Sequence, residues 1–389
     1  VTAPGALVIA APAVLTGIPG GPVLAPGYVA VRDGRVAQVG AGPPPEPADV
    51  VLPDGYLVPG FVDLQVNGGW GEELQDVRPA GWARVISALP ATGTTAFVPT
   101  FVTAPVERLG AALRGAAAFR RELPFGARVL GVHLEGPFLA PSRRGAHNAA
   151  WMSDPTPAAV DELITAGDGL LALVTLAPER PGGPAAVARL AAAGVLVSVG
   201  HSDATAAQVA RAADAGARMV THLYNAQRPL GHREPGVVGQ ALADPRLTSG
   251  LIADLHHVSV QACLIALAAA PGRIALVTDA AACAGMPPGR YRLGGEPIEL
   301  PPGAGVPPVR ADGVLAGSAL RMDAAIANLA RAGVSLPAAV AAATSIPADL
   351  IGCPELGRIA PGAAGDLVWL GSDLQARATW IGGRPAFGA

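Results

Sequence analysis

The segment Val195–Gly216, VLVSVGHSDATAAQVARAADAG, contains one complete unit of the fold. It opens on a short run of branched apolar residues with no polar alternation, the pattern of a strand covered on both faces. The run breaks into a polar cluster at His201-Ser202-Asp203, and an alanine-rich stretch then continues to Gly216. We read a strand over Val195–His201 and a helix over Asp203–Gly216, with Asp203 as N-cap and Gly216 suited to the helix end. Strand followed by helix is the repeating element of a parallel sheet, because parallel neighbours need a crossover.

The same alternation extends in both directions. Further candidate strands are Gly60–Val66, Thr94–Thr100, Arg128–Glu135, Leu170–Ala177, Arg218–His222, Thr248–Asp254 and Ile274–Asp279, which makes eight. Helical stretches include Ala104–Leu123 and Met322–Ala332, the second running into Gly333. Eight such units predict an α/β fold, a closed (β/α)8 TIM-like barrel, and the chain of 389 residues is long enough for it plus an appendage. No short-period repeat suggests an array instead.

The ends read differently. Tyr28–Val39, YVAVRDGRVAQV, alternates on both sides of Asp33-Gly34 and predicts a hairpin. Leu356–Leu370 and Thr379–Pro385 again look like short strands between glycine turns. We expect residues 1–57 and 346–389 to build one small β domain, with the barrel over 58–345.

Hydrophobic residues are 51% of the chain and charged residues 15%, so a large core is available and disorder is not expected. A net charge of −3 argues against nucleic acid or an anionic membrane as partner. All 27 basic residues are arginine, which excludes a Schiff base and a Walker lysine. Cys263, Cys283 and Cys353 are widely spaced and odd in number, which suits structural thiols in a reducing cytoplasm. The first charged residue is Arg32, but Pro4, Pro12, Pro19, Pro22 and Pro26 interrupt any long helix and no basic region precedes the apolar run. We therefore expect no signal peptide and no membrane helix there.

All seven histidines lie between 133 and 257, several at the carboxyl ends of predicted strands, the face on which barrel enzymes build their sites. One histidine on an apolar strand is ordinarily a satisfied core residue, but six polar strand ends on one face reverse that expectation. Glu135, His201 and His222, from three strands, offer a carboxylate and two imidazoles, a donor set for a divalent ion with a position open for water. The bland reading makes Glu135 the cap of the following Gly-Pro turn and packs the histidines inside. Asp279, in VTDA, can act as general base toward water on such an ion, or cap the next segment.

HLEGPF, GAHN, GHSDAT, THLYNA, REPG and VTDA occur here in one order, and this set resembles the N-acetylglucosamine-6-phosphate deacetylases of the amidohydrolase superfamily. The resemblance covers about residues 57–320, and the terminal strands resemble the superfamily's β-sandwich appendage. It implies Glu135, His201 and His222 as ligands of one divalent metal, with Zn preferred and Fe, Co or Mn also accepted by these donors. Asp279 would be the acid/base. Ala146 and His147 would meet the substrate, His147 holding the sugar and amide carbonyl and assisting catalysis. Asn225, the Ala226 backbone, Arg233 and His257 would receive the 6-phosphate, and Leu315-Ala316-Gly317 would flank the sugar ring. The arginine of REPG can reach across a dimer interface in related enzymes, which implies a homodimer with Arg233 serving the partner's site.

Two departures matter. Many amidohydrolases carry HxH on the first strand and a carboxylated lysine, whereas this chain has Gln65-Val66-Asn67 and no lysine, so Gln65 and Asn67 are expected to hydrogen-bond rather than ligate. Leu255 and His256 follow Asp254 where the family usually has a glycine, which leaves the loop shape and the choice between His256 and His257 open. Hydrolysis of the acetamido group of N-acetylglucosamine 6-phosphate is the expected reaction, with N-acetylgalactosamine 6-phosphate and other epimers not separated by these residues. Another amidohydrolase, for example one opening a cyclic amide, and a non-catalytic barrel scaffold are the alternatives.

Overall fold

The computed structural model describes residues 6–303 and 305–388. Eight parallel strands form the expected barrel: Phe61–Val66, Thr94–Val102, Val132–Glu135, Leu171–Leu176, Leu196–Val199, Met219–Val220, Thr248–Leu251 and Ile274–Leu276. Each pairs with its successor in chain order. Among the described residues no ladder joins the last strand to the first. The seam there is closed by a bridge between Val66 and Ala280 and by the Asp279 N–H donating to the Gln65 carbonyl at 2.9 Å.

The single strand expected over Arg128–Glu135 is two, Arg128–Val129 and Val132–Glu135. Gly131 lies between them at φ 145°, and a Cβ there would stand 2.4 Å from the Ala172 Cβ. The chain needs that close approach to pack its third strand on the fourth.

Helices cover the outside. On Val106–Phe119, Leu109, Leu113 and Ala116 recur at helical spacing and are fully buried in one core with Phe97, Leu134 and Val174. Each such leucine contributes about 1.5–3 kcal/mol of burial. The helix expected from Asp203 begins instead at Ala206, and its N-cap is Thr205. Thr205 and Gln208 form a reciprocal capping box. Asp203 is engaged elsewhere, by Arg143 at 2.8 Å and Arg228 at 2.9 Å.

The terminal segments form two sheets. One orders Arg35–Ala41, Gly27–Arg32, Leu7–Ala11 and Val50–Val51; the other orders Arg384–Phe387, Ala376–Ile381, Leu367–Leu370, Tyr56–Pro59, Val14–Leu15 and Val23–Leu24. Ile9, Val29 and Val31 of the first share a buried cluster with Val14, Leu57, Leu367 and Trp380 of the second, which makes a small β-sandwich. The hairpin turns through Asp33 and Gly34, both at positive φ, as a two-residue connection of this hand requires. Arg128 grips Asp366 through Nε at 3.0 Å and Nη2 at 2.9 Å, tying barrel to sandwich. The helix Ser345–Leu350 crosses the expected 345/346 boundary, and its Ala348 packs with Val62, Leu64 and Val277 of the barrel. Among the described residues no helix is long and apolar enough to cross a membrane.

Candidate active site

A cleft of about 300 Å³ opens at the carboxyl ends of the barrel strands. Strand alternation decides what reaches its floor: Asp63, Gln65 and Asn67 fall two apart and share a face, as do His133 and Glu135, and of these Asn67 and Glu135 line the cleft. The end of the third strand therefore aims Glu135 inward beside residues from the fifth and sixth.

Glu135 Oε1 lies 3.2 Å from His201 Nε2 and 2.9 Å from His222 Nε2, and the two nitrogens are 3.1 Å apart. All three side chains are buried. The Nδ1 of His201 faces the Arg143 carbonyl at 2.9 Å, and since a carbonyl only accepts, Nδ1 carries the proton and Nε2 presents a lone pair. His222 Nδ1 is buried with no hydrogen-bond partner among the described residues. Donors bound to one ion at about 2.0–2.1 Å in tetrahedral geometry stand roughly 3.3 Å from one another, so this triangle has the dimensions of a metal site. Two imidazoles and a carboxylate converging without an intervening proton for every pair fit a divalent cation by donor type as well.

His147 is close by, its Nε2 3.5 Å from the other Glu135 oxygen. Glu135, His147 and His201 also bring donor atoms within 4.8 Å of one another. The 2.9 and 3.1 Å separations of His222 nonetheless make the tighter triangle, on a single carboxylate oxygen. His147 has a separate anchor: the Thr103 N–H donates to its Nδ1 at 3.3 Å and the Thr103 hydroxyl lies at 2.9 Å. An Nδ1 that accepts leaves the proton on Nε2, pointing toward Glu135.

Asp279 lies three residues beyond the last strand, at φ 52°. Its Oδ1 accepts from the Asn67 amide at 2.7 Å and from the Gln65 amide at 3.1 Å, and Gln65 also reaches Glu135 Oε1 at 3.0 Å. Gln65 and Asn67 thus bridge carboxylates by hydrogen bonds. Burial, and then the Glu135 charge, push Asp279 up to about 6. Burial and then the neighbouring His147 bring His201 down to about 4. Burial opposes the Glu135 charge, but the surrounding imidazoles, His147 first, outweigh it and hold Glu135 well below the usual range. His222 is raised: burial pulls it down, and Glu135 more than offsets that.

The remaining expected residues divide. Ala146, Asn225, Ala226, His257, Leu315 and Gly317 line the cleft; Ala316 is buried behind it. His257 rather than His256 faces the site, its Nδ1 held by Asp254 at 2.6 Å, while His256 is exposed. Leu255 sits at φ 66°, a conformation glycine adopts freely, so the loop keeps its shape at the expense of backbone strain. Arg233 is exposed and does not line its own chain's cleft. The arginine that does is Arg143, which no sequence signal singles out although it stands beside GAHN. Leu293, from a hairpin formed by Gly289–Leu293 and Glu296–Leu300, also reaches the cleft and had no sequence signal of function. Cys283 is a small buried thiol, pushed up to about 12 by burial.

The amidohydrolase family model matches residues 56–386. The chain is 38% identical to an N-acetylgalactosamine-6-phosphate deacetylase of Escherichia coli O157:H7, over 92% of this chain and 93% of that one. It is 36% identical to the N-acetylglucosamine-6-phosphate deacetylase of Vibrio furnissii, over 86% and 83%. The crystal structure of N-acetyl-D-glucosamine-6-phosphate deacetylase from Mycobacterium smegmatis superposes with a TM-score of 0.92 at 38% identity, over 97% of this chain and 99% of that one. The chain belongs to the amidohydrolase family of metal-dependent hydrolases, and within it stands among the N-acetylated amino-sugar-phosphate deacetylases.

Proposed function

We propose that the chain hydrolyses the acetamido group of N-acetylglucosamine 6-phosphate to glucosamine 6-phosphate and acetate, with Glu135, His201 and His222 holding one divalent ion. The observation that carries this is the convergence of His201 Nε2 and His222 Nε2 on Glu135 Oε1, within 3.2 Å, with the Asp279 carboxylate on the same floor. The bound ion, zinc in our reading and otherwise iron, cobalt or manganese, supplies polarisation of the carbonyl and acidification of water. Asp279, ionised and held by Asn67 and Gln65, takes the proton from the attacking water and returns it to the departing nitrogen. His147 donates from Nε2 to the oxygen that gains charge, with Thr103 fixing its tautomer. Ala146 and Leu315-Ala316-Gly317 bound the sugar.

For the phosphate we assign Asn225, the Ala226 N–H, His257 and Arg143 within the chain. Arg233 joins them from a second copy. Leu230, Leu264 and Ile265 are exposed apolar residues, and Tyr224 Oη donates to the Ala262 carbonyl at 3.0 Å, joining the helix Val260–Ala269 to the loop beyond the sixth strand. These exposed apolar side chains support a homodimer. In this reading residues 1–57 with 346–389 make the sandwich and 58–345 the catalytic barrel, with strand Tyr56–Pro59 and helix Ser345–Leu350 spanning the two boundaries, and the buried Cys263 and Cys283 suit a cytoplasmic setting.

The 38% identity to a galactosamine-type relative favours N-acetylgalactosamine 6-phosphate as a second reading. Acetate release from both phosphosugars and from unphosphorylated N-acetylglucosamine, with metal counted on the same sample, decides. Turnover of the glucosamine phosphate with about one metal per chain is expected. Turnover restricted to the galactosamine epimer moves the substrate, and turnover of the unphosphorylated sugar at an equal rate removes the phosphate site.

A further inference from the structure

Asp63 is a fully buried carboxylate for which the proposed chemistry has no use. It stands on the first barrel strand at the seam with the last, where the ladder is missing. Its Oδ1 accepts the backbone N–H groups of Gln65 and Thr278, each at 3.2 Å, and its Oδ2 accepts the Thr278 hydroxyl at 2.5 Å. A carboxylate side chain thus does at this seam part of what interstrand bonds do elsewhere in the barrel.

Thr278 immediately precedes Asp279, whose left-handed φ costs a residue with a β-carbon roughly 1–2 kcal/mol. Such a conformation persists where the surroundings over-determine it. Here the Thr278 N–H goes to Asp63, and the Thr278 carbonyl accepts the Ser318 hydroxyl at 2.5 Å. The Asp279 N–H goes to the Gln65 carbonyl, and the Asp279 carbonyl accepts the Ser318 N–H at 2.8 Å. The Ala280 N–H donates to Thr278 Oγ1 at 3.2 Å, and its carbonyl accepts from Asn67 and Gly68. Every backbone polar group from Thr278 to Ala280 is therefore taken. Two buried side chains, Asp63 and Ser318, grip Thr278 from opposite sides of the chain.

We infer that Asp63 and Ser318 are positioning residues for Asp279, clamping Thr278 across the barrel seam so that the left-handed turn presents the Asp279 carboxylate to the cleft. This rests on the reading of Asp279 as acid/base. Neither residue touches substrate; both act through the backbone that carries the catalytic group.

The test compares Asp63→Asn, Thr278→Val, Thr278→Ser and Ser318→Ala for kcat, KM and metal content, each alone and in an Asp279→Asn background. The Asp63→Asn change keeps the Oδ1 acceptor and replaces Oδ2 by a donor; Thr278→Val removes the hydroxyl. A displaced catalytic group lowers turnover by roughly 10–100-fold. We expect that loss in kcat for Asp63→Asn, Thr278→Val and Ser318→Ala, with KM and metal content kept, and recovery in Thr278→Ser. In the Asp279→Asn background the same changes should cost nothing more, because the group they position is already disabled. Wild-type kcat in Thr278→Val and Ser318→Ala overturns the clamp. So does a full additional loss in the Asp279→Asn background, or a loss that tracks departure of metal. An Asp279→Asn protein with wild-type kcat instead overturns the acid/base reading itself, and the clamp with it.

Discussion

The trans placement proposed for Arg233 has a numerical consequence. It is exposed and absent from its own cleft, while the adjacent Glu234 pins the loop by accepting the N–H groups of Ala206 at 2.8 Å and Gly236 at 3.0 Å. A charged hydrogen bond to phosphate is worth about 1.5–3 kcal/mol, so Arg233→Met should lower kcat/KM by roughly 10–150-fold. Asp279→Asn should lower turnover by a separate route, by roughly 100–10,000-fold, to a small but measurable remainder. In a mixed dimer of the two variants, the subunit with the Arg233→Met change keeps its own Asp279 and receives its partner's arginine, so that site is whole, while the other contributes next to nothing. Random pairing yields about half mixed dimers with one competent site in two, and the mixture should recover about a quarter of wild-type activity. Co-expression of differently tagged chains, with acetate release measured on the mixed population, reads this directly. Activity no higher than the mean of the separate variants would refute the trans assignment.

Other expectations can be checked separately. Asp279 must be ionised to accept a proton and is raised to about 6 before any cation acts on it, so kcat/KM should fall along an acid limb lying at or below about pH 6. A bound cation shifts that limb to lower pH, and a pH–rate profile with no acid limb down to about pH 4, the ordinary range of an aspartate, counts against Asp279 as base. Glu135→Gln keeps the shape of the buried side chain and removes its charge, so metal affinity should drop by at least roughly 100-fold, measured by metal content after dialysis. Unchanged stoichiometry would shift the ligand set toward His147. Thr205→Ala breaks the capping box of the helix Ala206–Ala215 and should cost about 1 kcal/mol in denaturant unfolding.

The barrel was legible because each unit carries two independent signals, a short branched apolar run and an alanine-rich helix, and because polar residues accumulate where the strands end. Glu135, His201, His222 and Asp279 could be named for the same reason: a strand end fixes which face of the barrel a side chain meets. What the sequence hid depends on how loops return over that face. By residue type alone Arg143 and Arg233 are both loop cations, and although the REPG resemblance singled out Arg233, it is Arg143 that the fold brings to the cleft of its own chain. The hairpin containing Leu293 reads as ordinary strand and turn. Asp203 is as good an N-cap by residue type as Thr205, and competition from Arg143 and Arg228 removed it from that role.

The least legible feature is the backbone of the site itself. His201, His222, Ala226 and Asp279 adopt positive φ at 46°, 27°, 49° and 52°, in positions where a turn alone would select glycine. Glycine would relieve the strain but would remove the imidazoles of His201 and His222 and the carboxylate of Asp279. These positions must therefore carry both the strained turn and the side chain, and the strain has to be held by neighbours. The neighbours are visible: the Ala140 N–H donates to the His201 carbonyl, and Gln65 and Ser318 hold the backbone of Asp279, with Asp63 on the residue before it. A motif such as GHSDAT or VTDA records the functional side chain. The hydrogen bonds that let it stand in a left-handed turn come from strands and loops distant in sequence, and for Asp279 they come from residues 63, 65 and 318.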